Sequence, residues 1–413
     1  MHPSHHGFRK SHSTTTALLE MYDTWLEAFE DNKISAAIML DLSATFDVVD
    51  SSILLDKLEL YGFRGNALSW LHSYLDGRQQ QVYVDGVLSD PLEVEVGLPQ
   101  GSILGPLLYI IFTNDLPEVV HNHEPQHSNN QDSLGFYNVH CDPCGSICCF
   151  ADDSTFSHSD KDPEVLQANI TTKYKDIANY MATNKLFLNS DKTHLLVITS
   201  AQQHAKHNNF GIQLNTGSET IQPSNDERLL GAQVSNNFTW NSHIVDNDKS
   251  MIKMITSRIN ALMKVSWSAD FMTRKMIGNA IVMSRIVYLV QVYGNASEYL
   301  LKGLQILQNK AARVVTRLPW GTETGLLLNQ VKTENKPAAL KLRFRDNFVY
   351  RTRQATSNGL VRCETPRTET SKKAFVCSST IMWNTLPPQL RKTEKLEKFK
   401  LELKKWVKTN VKI

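Results

Sequence analysis

Two stretches, Ala36-Ala-Ile-Met-Leu-Asp-Leu42 and Ile147-Cys-Cys-Phe-Ala-Asp-Asp-Ser-Thr-Phe156, decide how this 413-residue chain is read. The first is a short apolar run ending in an acid, the pattern of a buried strand. The second reads as strand, turn, strand, with Asp152 and Asp153 at the turn. A carboxylate at a strand end costs β-propensity and must be desolvated, so it usually has a task. Taken alone, Asp152-Asp153 would be no more than a turn dipeptide. If the two strands are neighbours in one sheet, however, Asp41, Asp152 and Asp153 converge on one edge. Three carboxylates there repel one another and are best neutralised by divalent cations.

Outward from these strands the chain alternates between helix and strand. Apolar periodicity marks helices over Ile53–Tyr61, Ala67–Leu75, Ile103–Leu116 and Pro163–Ala182. Gln80–Val84 and Leu92–Val96 alternate as strands around Asp85-Gly86. Further strands are expected over Lys185–Leu188, His194–Thr199 and Arg228–Val234. Helices then follow near 243–264, 270–290 and 298–317. This order implies a mixed sheet covered by helices on one face. Residues 121–146, rich in His, Asn, Gln and Ser, read as a surface insertion.

The net charge of +2 conceals an asymmetry: residues 332–413 hold 20 Lys+Arg against 7 Asp+Glu, and the rest of the chain is acidic. Such a basic end either binds phosphate backbones or is a solvated, salt-bridged helix face. Six cysteines, four of them within 141–149, do not form an extracellular disulfide framework. An intracellular protein, nuclear or cytoplasmic, with reduced thiols is expected. The start carries no signal-peptide pattern, and Arg285 and Gln291 interrupt the most apolar stretch, Met276–Gly294. That stretch is expected as an amphipathic helix, and no membrane contact is expected.

Four motifs in order resemble those of reverse transcriptases, most closely the non-LTR (LINE-type) retrotransposon enzymes. They are Leu40-Asp-Leu-Ser-Ala-Thr-Phe-Asp47, Gly97-Leu-Pro-Gln-Gly-Ser-Ile-Leu-Gly-Pro106, Phe150-Ala-Asp-Asp153 and Asn189-Ser-Asp-Lys-Thr193. The resemblance covers about residues 7–320. It implies an α+β fold: a right-hand polymerase palm, an antiparallel sheet with helices on one face, with partial fingers, a helical thumb and a basic C-terminal segment. The expected boundaries are 1–35 for residual fingers, 36–245 for the palm with fingers elements, 246–330 for the thumb and 331–413 for the basic segment.

By the same resemblance, Asp41, Asp152 and Asp153 hold two Mg²⁺ ions, with the carbonyl of Leu42 completing one coordination shell. Phe46 is implied as the gate below the sugar, against the plainer reading of a core aromatic. Pro99, Gln100 and Gly101 approach the incoming nucleotide and template, although Gly-x-Pro-Gln-Gly by itself could be any tight turn. Lys192 is the candidate to neutralise or protonate the pyrophosphate, or else a surface partner of Asp191. Arg78 is either a tracker of template backbone or an exposed strand arginine. Gly231 and Trp240 lie in the likeness of a primer-gripping hairpin. The implied partners are an RNA template, a DNA primer and deoxynucleoside triphosphates; the oligomeric state is not legible.

Several features depart from the family pattern. Gly7-Phe-Arg-Lys10 resembles the middle of the fingers, so the chain reads as N-terminally truncated, without the earlier fingers strands or an endonuclease. Ala44-Thr45, Val48 and Ser51 replace commoner residues, and Gln330–Lys336 reads as the scar of an internal deletion. A degraded genomic copy accounts for these together, so a catalytically silent remnant that at most binds nucleic acid is the rival reading. A two-metal nuclease shares the carboxylates but does not need the Pro-Gln-Gly loop or Phe46. Cys141 and Cys144 make half of a zinc site that His140, His123, His127, Cys148 or Cys149 would have to complete. Because Cys149 leads into the acidic turn and is expected in the core, no zinc is expected.

Overall fold

The computed structural model describes residues 1–42, 45–121, 145–200, 211–217, 219–319 and 321–331, with 386–387 and 402 besides. Two compact units emerge: Met1–Ala17 with Asn32–Asn225, and Leu18–Asp31 with the chain from Asp226 onward. The division passes through helix α1 (Thr14–Glu30), whose first turn belongs with the first unit.

In the first unit, β1 (Ile34–Leu40) is buried at every position, as an apolar strand in the middle of a sheet should be. Helix α2 (Ser51–Leu60) starts where the Asp50 carboxylate accepts the N–H groups of Ser52 and Ile53 at 2.9 and 3.2 Å. It is followed by α3 (Gly65–Leu75). The region expected as two strands is four short ones: β2 (Gln79–Gln80), β3 (Tyr83–Val84), β4 (Val87–Leu88) and β5 (Leu92–Glu93). β2 pairs with β5 and β3 with β4. Asp85 and Gly86 form the expected turn, with φ of 50° and 87°. All four strands are exposed, so no buried face rewards a longer ladder.

The helix expected over 103–116 is the shorter α4 (Gly105–Phe112), and a further short helix, α5 (Leu116–His121), follows it. Between them the Thr113 carbonyl accepts the Leu116 N–H at 3.0 Å and lies 3.1 Å from His5 Nε2, and Pro117 has no N–H to bond it. Next come β6 (Ser146–Phe150), β7 (Asp153–Asp160) and α6 (Pro163–Thr183), the helix opening on an Asp162 cap with proline at its first position. Leu166, Ile170, Ile177 and Met181 form its buried stripe and share one core with Ile38, Leu54, Phe112 and Leu195.

Strand β8 (His194–Ile198) follows a 3₁₀ turn, then the ribbon of β9 (Leu214–Asn215) and β10 (Thr220–Ile221), then β11 (Pro223–Ser224). The main sheet has the order β11-β8-β1-β7-β6, antiparallel throughout except between β11 and β8. The strand expected over 185–188 survives only as a bridge between Leu42 and Leu188. Part of that segment closes α6 instead, with Leu186 N–H donating to Met181 O at 2.8 Å.

The second unit opens with a hairpin, β12 (Asp226–Leu229) and β13 (Ala232–Ser235), so the strand expected over Arg228–Val234 is two short ones about the turn at Leu230-Gly231. Leu230 and Gly231 both take positive φ at its turn, which ends the ladder and returns the chain. Tyr22 of α1 stacks on Trp240, 5.4 Å between ring centroids, and meets Phe238 edge-on at 5.2 Å. The helices are α7 (Met251–Ser266), α8 (Phe271–Gly278), α9 (Ser284–Val287), α10 (Val290–Tyr293), α11 (Glu298–Thr316) and α12 (Thr324–Val331). The continuous helix expected over 270–290 is interrupted by a π turn at Asn279–Met283 and by Leu289 at φ 56°. Met276–Gly294 is therefore several helical pieces, and no described helix is long and apolar enough to cross a membrane.

Candidate active site

The antiparallel register of β1 and β7 places Leu40 opposite Ser154. The next residues on each strand, Asp41 and Asp153, therefore leave the ladder side by side at the same sheet edge. Asp152 adjoins them in the turn from β6, where Ala151 takes φ 58°. Asp152 and Asp153 are exposed and Asp41 is half-buried. Although Asp153 faces solvent, crowding by protein atoms comes first among the causes that raise its pKa. The negative charges of Asp152 and then Asp41 follow.

The lysine motif reaches the same edge. Asn189 N–H donates to Asp41 O at 2.9 Å, and Lys192 Nζ stands 3.4 Å from Asp41 Oδ2. That Oδ2 is shielded from water and accepts no hydrogen bond. Lys192 thus faces Asp41 rather than Asp191. Leu42 O accepts Thr45 Oγ1 at 3.3 Å, so the carbonyl expected to serve a metal already has one partner.

The glycine-rich loop is laced to the segment after β1. Leu98 N–H donates to Phe46 O at 2.7 Å and Gly97 N–H to Val49 O at 2.8 Å. Gly97 has φ 91°, and a Cβ there would lie 2.7 Å from Asp47 O, so only glycine fits. Gln100 Nε2 donates to Asp47 Oδ1 at 2.7 Å, while Gly101 turns at φ 78°. The ring of Phe46 leans on Tyr109 with centroids 4.9 Å apart. Burial, and after it Cys149 and Asp152, raises the Tyr109 pKa. Arg78 donates through Nε to Leu75 O at 3.0 Å and through Nη2 to Gly97 O at 2.5 Å; it braces the loop from behind.

All four motifs quoted from the sequence therefore meet around one end of the main sheet. The chain's residues 1–234 match the family model described as reverse transcriptase (RNA-dependent DNA polymerase). This chain belongs to the reverse transcriptase family. Among curated proteins it is similar to the RNA-directed DNA polymerase from mobile element jockey of Drosophila funebris, 27% identical over 320 residues. That alignment covers 77% of this chain and 32% of the relative. The probable RNA-directed DNA polymerase from transposon BS of Drosophila melanogaster is 26% identical over 328 residues, covering 77% and 33%. The chain thus spans about a third of the length of these curated relatives. Among solved structures, apo telomerase from Candida tropicalis aligns with 12% identity and a TM-score of 0.39, covering 96% of this chain and 56% of that one.

For this reverse transcriptase chain the donor set suits a hard cation. It consists of carboxylate oxygens at an edge where burial, and after it the like charges of Asp152 and Asp41, already resist ionisation of Asp153. As the side chains stand, no group of three or more His, Cys, Asp or Glu among the described residues forms a ready-made metal cage. Two elements of the site were missed in the sequence. Asp47 closes the first motif but gives no local sign that it will hold Gln100. Tyr109 lies in an all-apolar helix, where an aromatic reads as core. In the second unit, Gly231 has φ 87° and its α-carbon faces the Tyr288 ring. Trp240 is buried, its indole N–H donating to Asn295 Oδ1 at 2.9 Å, so it supports its hairpin from within. Cys141, Cys144, His123, His127 and His140 lie outside the described residues. Cys148 and Cys149 are buried, and burial pushes the Cys149 thiol up to about 12.

Proposed function

We propose that this chain is the catalytic part of an RNA-directed DNA polymerase of a non-LTR retrotransposon, extending a primer 3′-OH with deoxynucleoside triphosphates on an RNA template. The observation that carries the reading is the β1–β7 register, which sets Asp41 beside Asp153 with Asp152 next in the turn. Those three carboxylates would hold two Mg²⁺. When bound, the ions would acidify the primer hydroxyl and neutralise the charge on the transferring phosphoryl group.

The protein's own work is positioning. Phe46, backed by Tyr109, forms a wall against which a deoxyribose fits and a 2′-hydroxyl collides. Gln100, steadied by Asp47, and Gly101 present a side chain and bare backbone to the nucleotide and template, with Pro99 stiffening the approach. The exposed Lys192 ammonium balances Asp41 when the site is free and is long enough to turn to the departing pyrophosphate. Base pairing selects the nucleotide, so no side chain has to read sequence.

A silent remnant that binds nucleic acid through its basic end is the second reading, suggested by the 20 Lys+Arg against 7 Asp+Glu in residues 332–413. Primer extension on poly(rA)/oligo(dT) with Mg²⁺ separates the two. Wild-type protein is expected to extend the primer, and Asp152→Ala to lose about 10²-fold or more. Equal signal from the two proteins would sink the polymerase reading.

A further inference from the structure

The free edge of β6 is not left bare. Cys149 N–H donates to Ser4 O at 2.9 Å and His6 N–H to Cys149 O at 2.8 Å, an isolated parallel bridge that lays residues 4–6 along that edge. Immediately after it, Gly7 reaches the turn that carries Asp152. A Cβ on Gly7 would lie 2.5 Å from Ala151 N and 3.2 Å from both Ala151 Cα and Phe150 C. All three are backbone atoms of the acidic turn, so they cannot swing aside as a side-chain tip could. Ala151 is also the left-handed residue that lets the hairpin reverse between Phe150 and Asp153.

This segment is anchored at several independent points. His5 is buried, its Nε2 3.1 Å from Thr113 O at the end of α4. His2 N–H donates to Asn114 Oδ1 at 2.6 Å. Arg9 Nη1 donates to His2 O and His5 O, both at 2.8 Å, folding the following residues back over the segment. One end is thus tied to α4, which carries Tyr109, and the other lies against the turn beside Asp152.

We infer that Ser4–Gly7 is a positioning brace for the metal-binding turn, and that the missing side chain of Gly7 sets where Asp152 and Asp153 stand. The inference rests on the proposed metal site, since a brace matters only if the placement of those carboxylates does. Partners one step removed from metal-binding carboxylates typically affect metal affinity by roughly 10–100-fold. Placement errors of about 1 Å can cost catalysis on the order of 10²-fold.

The test is Mn²⁺ binding to the full chain, followed by electron paramagnetic resonance, with primer extension as a second readout. Gly7→Ala is expected to weaken Mn²⁺ binding roughly 10–100-fold. It should lower kcat while leaving KM for the nucleotide close to wild type. Arg9→Met loosens the brace without inserting an atom, keeps the test alive if Gly7→Ala does not fold, and is expected to show a smaller loss in the same direction. Ile147→Val removes a methyl group from β6 without touching the turn and is expected to bind Mn²⁺ as wild type does. Wild-type affinity in both Gly7→Ala and Arg9→Met overturns the brace, as does an equal loss in Ile147→Val. Wild-type protein that binds no Mn²⁺ overturns the metal-site reading itself, and the brace with it.

Discussion

At the scale of single residues, positions otherwise ordinary in sequence acquire their meaning from a near neighbour. Gly97 is required by a carbonyl 2.7 Å from where its Cβ would be, and Gln100 is aimed by Asp47. His5 is another case. Burial, with smaller contributions from His2, Arg9 and His6, lowers its pKa from 6.5 to about 4, against the opposing bond to Thr113. The folded state therefore keeps His5 neutral where the unfolded chain would protonate it. Its contribution is intact above about pH 6.5 and is lost as the pH falls toward 4, amounting to about 3 kcal/mol at most. Urea unfolding at pH 7 and 4.5 should show this loss, and His5→Gln should flatten part of it. His243, lowered similarly by burial and Arg228, leaves a residual slope in the variant. Identical slopes in the two proteins would show that His5 is not the source.

At the scale of elements, the first unit is pinned by a polar cluster beneath its helices. Lys57 of α2 donates to Phe112 O at 2.6 Å, to both oxygens of Asp115 at 2.8 and 2.9 Å, and to Tyr180 OH at 3.2 Å. Its side chain is only 12% exposed, whereas Asp115 is 43% exposed. Burial lowers the Lys57 pKa and the Asp115 contact opposes that shift, so the charge is retained through the pair. Lys57→Met should cost about 2 kcal/mol, below the range for a fully buried pair because water can reach Asp115. Chemical denaturation measures it; a change within about 0.5 kcal/mol would mean that the cluster ties nothing together. Strong periodicity makes α2, α3, α6 and the strands β1, β7 and β8 legible in the sequence. The breaks are less so: the π turn at Asn279–Met283 and Leu289 at φ 56° interrupt a stretch whose apolar pattern runs on. In both places a local backbone constraint overrides a continuous hydrophobic signal.

At the scale of the whole molecule, charge is unevenly shared: 20 of the 44 Lys+Arg lie in residues 332–413, beside only 7 of the 42 Asp+Glu. With +2 overall, a chain of well-mixed charge would hold a primer–template weakly and with little salt dependence. Affinity for an RNA–DNA duplex is instead expected to fall about 10³-fold between about 50 and 200 mM salt. Neutralising six lysines of that segment to glutamine should make the slope shallower by roughly six times 0.9 if all six meet phosphate. A flat salt profile in fluorescence anisotropy would remove nucleic acid from the proposed roles of the basic end.

Residue order alone determined which strands end in acids, which loop needs glycine and proline, and that four motifs follow in the order of the family. These are local matters of propensity, turn chemistry and apolar period, and they are written into a few neighbouring positions. Only the tertiary structure decided that Asp41 and Asp153 share an edge, that Lys192 turns to Asp41, and that Gly7 lies against the acidic turn. Those outcomes depend on strand register and on contacts more than a hundred positions apart, for which no short stretch of sequence carries the information.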